Sequence, residues 1–497
     1  MTNGFEYKTP ESAGIPSSAI LSYMKELEAE NLCLQDVLMF HDGKLIYEGF
    51  FSPMDKNEMH RHYSCSKSFV SVAIGIAIGE GLLSLDDKVN KFFPDKVPQN
   101  QHPWQAMTTV RDLLRMSTGN TRGATYSPSD PDWADTWFSE TPSHEPGRVF
   151  QYDTTATTML CIIIKRVTGK EFMAYLREKV FDEIGFDTEH KSYCVESPCG
   201  HEWGGSGVVC TPYDFARFAM LCMNMGSYNG KQLVPEWYMK EATSVRIDLQ
   251  HHSGTGLYNG YGYQFWILPN GFSFNGMGCQ FAVCFPKEKL LLITHGYEQL
   301  MTIAKPLITN AFIRNVLPCV GETVSVDKKE AAKLCEYTKN LKLARPMGKE
   351  ENPKASEFSG RTYKFEENQL GFKWLRFDFS KDGGKLIYEN ADGKCELAFS
   401  CTGQAEGEFP APAPHGKRIG TPYGKGYRSF TAAAWSERTC DGDFSDTLSV
   451  WSQVYDMYKA QIRMTFAFGK DSVTVIMASH AEWFYENYSG FATGIAE

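Results

Sequence analysis

A serine and a lysine three positions apart, Ser64-Cys-Ser-Lys67, form the segment of this sequence with the clearest chemical potential. A serine hydroxyl is a weak nucleophile until a base takes its proton, and a lysine whose pKa is lowered can be that base. The residues that follow are strongly apolar and predict a buried helix over Ser64–Glu80. Residues three apart share one face of a helix, so the two side chains can meet. Burial of that face disfavours the ammonium form and lowers the pKa of the lysine.

The same spacing occurs twice more, at Ser22–Lys25 and at Ser325–Lys328. The first pair lies in an amphipathic surface-helix pattern and the second in a polar stretch, so neither lysine is expected to lose its water. Spacing alone therefore leaves two interpretations of Ser64–Lys67 open. The pair is either a nucleophile with its base or a Ser/Lys pair that caps a core helix.

The bulk properties limit the classes of function. A chain of 497 residues exceeds the size of one hydrophobic core, so we expect at least two domains. The net charge of -10 argues against a nucleic-acid partner, which requires a basic face. The N-terminus lacks a signal-peptide pattern, and the apolar run Phe69–Ile78 is too short to span a bilayer, so we expect no membrane partner.

Cysteine and histidine usage predicts neither a metal nor a cofactor. The 14 cysteines form no C-x-x-C pair and no Cys/His cluster, which favours reduced thiols in a cytoplasmic protein. His60 and His62 have no carboxylate or cysteine partner at ligand spacing, so we expect a structural or pocket-rim role for them.

The predicted elements divide the chain into three parts. Residues 1–315 alternate strand and helix patterns and predict an α/β or α+β fold, with a hairpin turn at Asp42-Gly43. Residues 316–354 predict a polar connector with a helical pattern near Lys328–Lys342. Residues 355–497 contain short strand patterns between turn signals and predict an antiparallel barrel or sandwich.

The principal helices and strands are assigned from periodicity. Besides Ser64–Glu80, the expected helices are Val110–Met116, Thr155–Val167, Glu171–Val180 and Pro212–Met223. The expected strands of the first part include Gly262–Leu268, Gln280–Phe285 and Leu290–Thr294. Those of the last part are Thr362–Phe365, Leu375–Phe379, Lys385–Glu389, Glu396–Ser400, Phe430–Trp435, Thr447–Val454, Gln461–Phe468 and Ser472–Met477.

Several blocks in order resemble one known superfamily. They are Tyr63-Ser-Cys-Ser-Lys-Ser-Phe-Val-Ser, Glu80-Gly-Leu-Leu-Ser-Leu-Asp-Asp-Lys-Val and Val110-Arg-Asp-Leu-Leu-Arg-Met-Ser-Thr-Gly. Together they resemble the serine β-lactamases and penicillin-binding proteins, in particular the class C β-lactamase-like esterases and the nylon-oligomer (6-aminohexanoate-dimer) hydrolases. The resemblance runs from Thr9 to about Asn310, about three-fifths of the chain. It implies an antiparallel sheet flanked by helices with an all-helical lobe, and the last part resembles the lipocalin-like barrels that follow some members.

The resemblance also implies site residues. Tyr152, in Tyr-Asp-Thr, takes the place of the proton-shuttling tyrosine, and a neighbouring cation is expected to lower its pKa or share its proton. Thr154 stands where the lactamase branch prefers asparagine. The third motif falls at Phe274-Asn-Gly, without its usual cation, and continues as Gly-Met-Gly-Cys-Gln. The backbone amides of Ser64 and Met277 are the implied oxyanion hole. The implied substrate-binding residues are Thr154, Asn275, Gly276, Gly278 and Gln280.

The expected function is hydrolysis of a small amide or ester through an acyl-enzyme on Ser64, with Lys67 and Tyr152 moving protons. Two alternatives remain. A β-lactamase or D,D-peptidase would use the same chemistry, although Thr154 and Phe274 argue against it, and a catalytically silent binding protein would only keep the pocket. The sequence leaves the physiological substrate and the oligomeric state open.

Overall fold

The computed structural model describes residues 4–120, 129–249, 257–298, 301–391, 393–411, 418–419, 427–436, 446–455, 460–480 and 488–497. The chain divides into two compact units. The first is Met1–Leu343 with Lys417–Gly420, and the second is Ala344–Gly416 with Thr421–Glu497. The predicted domain limits at 315 and 355 stay predictions.

The first unit contains most of the helices. In chain order these are α1 (Ser17–Ala29), α2 (Ser66–Gly79), α3 (Pro103–Met107), α4 (Val110–Leu114), α5 (Trp133–Ser139), α6 (Thr154–Thr168), α7 (Phe172–Leu176), α8 (Asp182–Ile184), α9 (Pro212–Met223), α10 (Glu236–Ala242), α11 (Met301–Asn315) and α12 (Lys328–Lys339). Short 3₁₀ turns occur at Pro10–Ala13, Tyr63–Cys65, Val89–Phe92 and Leu317–Cys319, and a π turn at Arg177–Phe181.

The strands of this unit are β1 (Leu34–His41), β2 (Lys44–Phe50), β3 (His60–Arg61), β4 (Tyr193–Cys194), β5 (Val208–Cys210), β6 (Ser227–Tyr228), β7 (Lys231–Gln232), β8 (Gly260–Tyr261), β9 (Trp266–Leu268), β10 (Gly271–Asn275), β11 (Phe281–Phe285) and β12 (Leu290–Gly296). Seven of them form an antiparallel sheet in the order β2-β1-β12-β11-β10-β9-β8. A small sheet, β3-β5-β4, leads the chain into the turn before α2.

Helices cover both faces of the large sheet. Because successive side chains of a strand point to opposite faces, each strand contributes residues to two hydrophobic cores. In β1, Leu38 and Phe40 join the core that contains α2, α6 and α9. Val37 and Met39 join a second core that contains α1 and α11. The observed architecture confirms the predicted class, an antiparallel sheet flanked by helices.

Local signals determined several elements correctly. The predicted hairpin at Asp42-Gly43 is the turn between β1 and β2, and α9 has the predicted bounds. Thr211 precedes α9, and its hydroxyl accepts the backbone N–H of Asp214. Such an N-cap, followed by Pro212 in the first turn, specifies where a helix begins.

Several predicted elements differ from the observed ones: the helix expected over Val110–Met116 ends at Leu114, and the one expected over Glu171–Val180 is α7 followed by a π turn. The helix expected from Ser64 begins at Ser66, because Tyr63–Cys65 form a 3₁₀ turn in which the Cys65 N–H donates to the His62 carbonyl at 3.0 Å. Of the strand expected over Gly262–Leu268, only Trp266–Leu268 is strand (β9); the residues before it connect β9 to β8, and Gln264 among them has a φ of 65°. The buried Gln264 side chain accepts from Thr157 Oγ1 at 2.7 Å and donates to the Leu114 carbonyl at 2.8 Å. These long-range bonds divert the backbone there.

The second unit is a barrel. It contains α13 (Ala355–Phe358) and the strands β13 (Thr362–Lys364), β14 (Trp374–Ser380), β15 (Gly383–Asn390), β16 (Gly393–Ser400), β17 (Ala405–Glu408), β18 (Arg428–Trp435), β19 (Thr447–Val454), β20 (Gln461–Phe468), β21 (Ser472–His480) and β22 (Tyr488–Ala496). Nine strands form a closed ring in which β13 pairs with β22, and β16 meets β18 at Ser400 and Ala432. All eight predicted strands are present, and the predicted barrel is confirmed.

The sequence patterns missed β17 and β22. The large apolar residues of β22 face outward, with Phe491 67% and Ile495 58% exposed, whereas its inward positions are small. A Cβ at Gly494 would lie 2.6 Å from the Phe365 ring, so only glycine fits there. The inward-facing side of β22 therefore lacks the large hydrophobic side chains by which strands are recognised.

Within the described residues, no helix is long and apolar enough to cross a membrane. Every cysteine among the described residues is a free thiol.

Candidate active site

Ser64 lies in a short turn between β3 and α2. The turn is anchored by the His62 N–H, which donates to the Val208 carbonyl at 2.8 Å, so β5 fixes where the chain enters α2. Tyr63 adopts the left-handed region at a φ of 46°, an unfavourable conformation for a bulky side chain. As a result, the half-buried Ser64 hydroxyl is held just ahead of a buried helix.

The Lys67 amine lies next to Ser64 and is buried. Its Nζ is 3.1 Å from Ser64 Oγ and 2.6 Å from the Gly205 carbonyl, and the side chain is 1% exposed. Burial lowers the pKa of Lys67 to about 7, because the charged form loses its hydration. A neutral amine has two N–H donors and one lone pair. One N–H satisfies the Gly205 carbonyl, which leaves the lone pair to accept the proton of the Ser64 hydroxyl.

Tyr152 completes the group. Its hydroxyl hydrogen-bonds with the Ser64 side chain, and its ring centroid lies 5.0 Å from Lys67 Nζ. Burial raises the pKa of Tyr152 above its usual value, so the expectation that a neighbouring cation lowers it is wrong, whereas a proton shared with that cation stays a prediction. The phenol therefore stays protonated at neutral pH and can donate its proton, while Lys67 is the group that can accept one.

The end of β10 approaches the Ser64 turn very closely. A Cβ at Gly276 would lie 2.4 Å from the His62 carbonyl oxygen, so a side chain is excluded there. Among the described residues, the backbone N–H groups of Ser64 and Met277 have no hydrogen-bond acceptor. Backbone N–H donors beside a nucleophile can stabilise a developing oxyanion, and the oxyanion hole of Ser64 and Met277 stays a prediction.

The other predicted binding residues surround this strand end. Gly278 has a φ of 76°, and Gln280 is fully buried and donates to the Met277 carbonyl at 3.1 Å, so both shape the turn. Asn275 is nearly buried and donates to the Tyr258 hydroxyl at 2.8 Å. The Thr154 methyl lies 2.7 Å from where a Cβ of Gly205 would be, so a larger residue at position 205 would displace the Thr154 side chain. Contact of these residues with a substrate stays a prediction.

Sequence reasoning missed Asp153, which follows Tyr152 directly. Its carboxylate is fully buried, and Oδ1 accepts the Thr155 N–H at 2.8 Å as the N-cap of α6. Oδ2 accepts from the Thr118 hydroxyl at 3.4 Å. Burial raises the pKa of Asp153 to about 6 in spite of these bonds. An aspartate before an apolar helix pattern is a recognisable N-cap signal, but its inward orientation depends on the tertiary fold.

A second polar cluster lies beneath the Ser64 turn. Both oxygens of Asp36 face imidazoles, with His295 Nδ1 at 2.7 Å and His60 Nε2 at 3.2 Å. The donor atoms of these three buried residues lie within 4.8 Å of one another, a spacing that a metal ion could use. His295 hydrogen-bonds with Asp36, and His60 lies within ion-pair distance of it; together the two imidazoles hold the pKa of Asp36 well below its usual range against the cost of burial. Asp36 is thus a carboxylate partner of His60 that the sequence spacing did not reveal, and the structural or pocket-rim role of His60 stays a prediction.

Comparisons with known proteins agree with this geometry. Residues 35–295, more than half of the chain, match the protein family described as Beta-lactamase. A 6-aminohexanoate-dimer hydrolase from Paenarthrobacter ureafaciens is 21% identical over 250 residues, 47% of this chain and 63% of that protein. Penicillin-binding protein 4* of Bacillus subtilis is 22% identical over 180 residues, 30% of this chain and 36% of that protein. The chain thus spans less than two thirds of the length of both relatives.

A solved structure is similar over almost the whole length. The octameric penicillin-binding protein homologue from Pyrococcus abyssi covers 96% of this chain and 99% of its own, with 15% identity and a TM-score of 0.48. The family match over residues 35–295 includes both the Ser64 turn and the end of β10. This chain belongs to the β-lactamase family.

Proposed function

We propose that this protein is a serine hydrolase that cleaves a small amide or ester through an acyl-enzyme on Ser64. The observation that carries the proposal is the state of Lys67, a buried amine with a pKa of about 7 placed 3.1 Å from the Ser64 hydroxyl. A base is most effective when its pKa is near the working pH. Members of the family with this arrangement are hydrolases, and the relative named above acts on an aminohexanoate dimer.

In the first step, Ser64 Oγ attacks the carbonyl carbon of the substrate, and its proton passes to the neutral Lys67 amine. The carbonyl oxygen becomes an oxyanion, which the N–H groups of Ser64 and Met277 bind. When the tetrahedral intermediate collapses, the C–N or C–O bond breaks. Tyr152 gives its proton to the departing amine or alcohol and regains one from the Lys67 ammonium. The leaving group departs and an ester on Ser64 remains.

In the second step, water attacks this ester. Lys67, neutral again, takes a proton from the water directly or through Tyr152, and the same two N–H groups hold the new oxyanion. Collapse breaks the bond to Ser64 Oγ, which recovers a proton as the carboxylic acid leaves. The lysine and the serine return to their starting states.

The surroundings favour a simple substrate. Phe274, 1% exposed, occupies the position at which many relatives have a cation for a substrate carboxylate. The Tyr152 ring stacks on Trp266 at 5.7 Å, and Trp266 lies 4.9 Å from the Tyr258 ring. Aromatic walls bind apolar groups well. We therefore propose that the acyl groups of the substrates are uncharged and partly apolar. We also propose that the enzyme is cytoplasmic.

Labelling with a fluorophosphonate probe tests the proposal. We expect one equivalent of probe on the wild-type protein, located on Ser64 by peptide mass spectrometry, and hydrolysis of p-nitrophenyl esters or amino-acid amides. Absence of labelling would support a silent binding protein instead. Turnover of nitrocefin faster than of the esters and amides would support a β-lactamase.

A further inference from the structure

We propose that Asp36, His60 and His295 form a binding site for a divalent transition-metal ion, and that zinc is its occupant. The sequence predicts no metal, because its spacing gives His60 no carboxylate partner. The tertiary structure supplies that partner from β1 and adds a second imidazole from β12. The ion would be structural, and its binding is independent of the reaction proposed for Ser64.

The fold brings the three side chains together from three strands. Asp36 on β1 is the register partner of His295 on β12, so the two side chains lie side by side on one face of the large sheet. His60 enters from β3, and its ring stacks on that of His295 with the centroids 4.3 Å apart. Among the described residues, this is the one group of three histidine, cysteine, aspartate or glutamate side chains whose donor atoms all lie within 4.8 Å of one another.

The distances between the donor atoms suit a four-coordinate ion. Zinc binds imidazole nitrogen and carboxylate oxygen at about 2.0–2.2 Å, so two ligand atoms on a tetrahedral ion lie about 3.3–3.5 Å apart. Asp36 Oδ2 and His60 Nε2 are 3.2 Å apart, and within the described residues this buried oxygen accepts no hydrogen bond of normal geometry. Asp36 Oδ1 and His295 Nδ1 are 2.7 Å apart, so the His295 ring must move back by roughly 0.6 Å to share an ion.

The chemistry of the three ligands selects the kind of ion. Imidazole nitrogens are bound well by zinc and its neighbours, whereas magnesium and calcium prefer oxygen ligands. All three side chains are buried, and the Phe215 ring lies 5.8 Å from that of His295. A buried carboxylate is costly unless it is paired or bound to a metal. Closed sites with four ligands are typical of structural zinc, and the second oxygen of Asp36 or a water completes the set.

An ion in this site would fix the strand that leads into the Ser64 turn. β3 ends at Arg61 and pairs with β5 in the small sheet, not with the large sheet. Coordination through His60 would tie β3 directly to β1 and β12. Because an ion that binds only the folded state adds to its stability, we expect the metal to raise the melting temperature.

The metal content of the purified full chain tests the proposal. The protein is expressed in minimal medium with added zinc, because buried ligands take up the ion as the chain folds. Any affinity tag is cleaved off, and weakly bound metal is removed by gel filtration. By inductively coupled plasma mass spectrometry, we expect about one zinc per chain in the wild type and less than about 0.2 in both Asp36→Asn and His60→Gln.

His201→Gln is the matched control. His201 Nδ1 lies 3.5 Å from Glu171 Oε1, so this variant changes a histidine–carboxylate pair outside the group. We expect its zinc content to equal that of the wild type.

Wild-type protein grown with cobalt in place of zinc gives a second readout that requires no variant. We expect a visible ligand-field band without the near-ultraviolet charge-transfer band of a thiolate ligand. We also expect a Tm about 5 °C above that of protein grown without either metal.

The proposal is overturned if wild-type protein from zinc medium holds no more zinc than the background, or if both site variants keep the zinc content of the wild type. A cobalt spectrum with thiolate charge transfer would overturn it as well, since the ion would then lie at a cysteine site. If the variants do not fold, the cobalt spectrum of the wild type decides. None of these readouts requires turnover at Ser64, so failure of the proposed function is distinguishable from failure of the metal site.

Discussion

Two segments of the first unit share the Ser-x-x-Lys spacing but not the surroundings. Ser22 and Lys25 lie on α1 with both side chains exposed, whereas Lys67 is buried and hydrogen-bonded between Ser64 and the Gly205 carbonyl. Ser325 and Lys328 are exposed as well. The spacing is the same in all three pairs, so it cannot be what makes a nucleophile. In the proposed function, the reactivity of Ser64 depends on the burial of Lys67 and on the close approach of the end of β10.

The test with the largest expected effect replaces each of the two serines with alanine. Ser64→Ala removes the atom that forms the acyl bond, so we expect esterase activity to fall by about 10⁴-fold or more. Ser22→Ala makes the same change in the exposed pair and should leave the activity within twofold of the wild type. The initial rates are measured with a p-nitrophenyl ester, and circular dichroism confirms folding. Activity that survives Ser64→Ala would refute the assignment of the nucleophile.

The lysines are the next test. Lys67→Ala removes the base and should lower kcat by about 10³-fold, while Lys25→Ala should have no effect. KM should change little, because Lys67 does not bind the substrate in the proposed steps. If kcat/KM fell because KM rose while kcat was preserved, Lys67 would instead be a binding residue.

The close approach of β10 distinguishes Ser64 from Ser22 as clearly as the lysine does. Gly276→Ala places a methyl group 2.4 Å from the His62 carbonyl oxygen, so the strand must move away from the oxyanion position. We expect kcat to fall by about 100-fold. Gly321→Ala, where nothing lies within 4 Å of the added Cβ, is the control and should keep full activity. Equal activities of the two variants would show that the strand does not form the oxyanion hole.

The pH profile tests the burial of Lys67 directly. With a pKa of about 7 for Lys67, the free base is lost as the pH falls, so kcat/KM should decrease tenfold per unit below that value. At pH 5 the loss is about 100-fold relative to the plateau above pH 8. A pH-rate study on the wild type, with unfolding monitored at each pH, is sufficient. A profile that rises only near the ordinary pKa of lysine would show that Lys67 is hydrated, as Lys25 is.

Much of the fold could be predicted because its signals are local. The Asp42-Gly43 turn, the bounds of α9 and the alternating strands of the barrel each depend on a few consecutive residues. The strand β22 could not be predicted, because its large side chains face outward and its inward side packs against Phe365, which follows the neighbouring strand β13. The interruption between β8 and β9 could not be predicted either, because it results from hydrogen bonds of Gln264 to residues distant in sequence.

In the candidate site, too, some properties follow from the sequence and others from the tertiary structure. Sequence alone determined which chemical groups are present, the order in which Ser64, Lys67 and Tyr152 occur and the glycines that follow β10. Only the tertiary structure decided their properties. The Gly205 carbonyl, 138 residues after Lys67, and the burial that lowers the lysine pKa come from distant segments, as do the surroundings that turn Asp153 inward. Desolvation depends on how many atoms enclose a group, and that number is set by packing between elements rather than by neighbours along the chain.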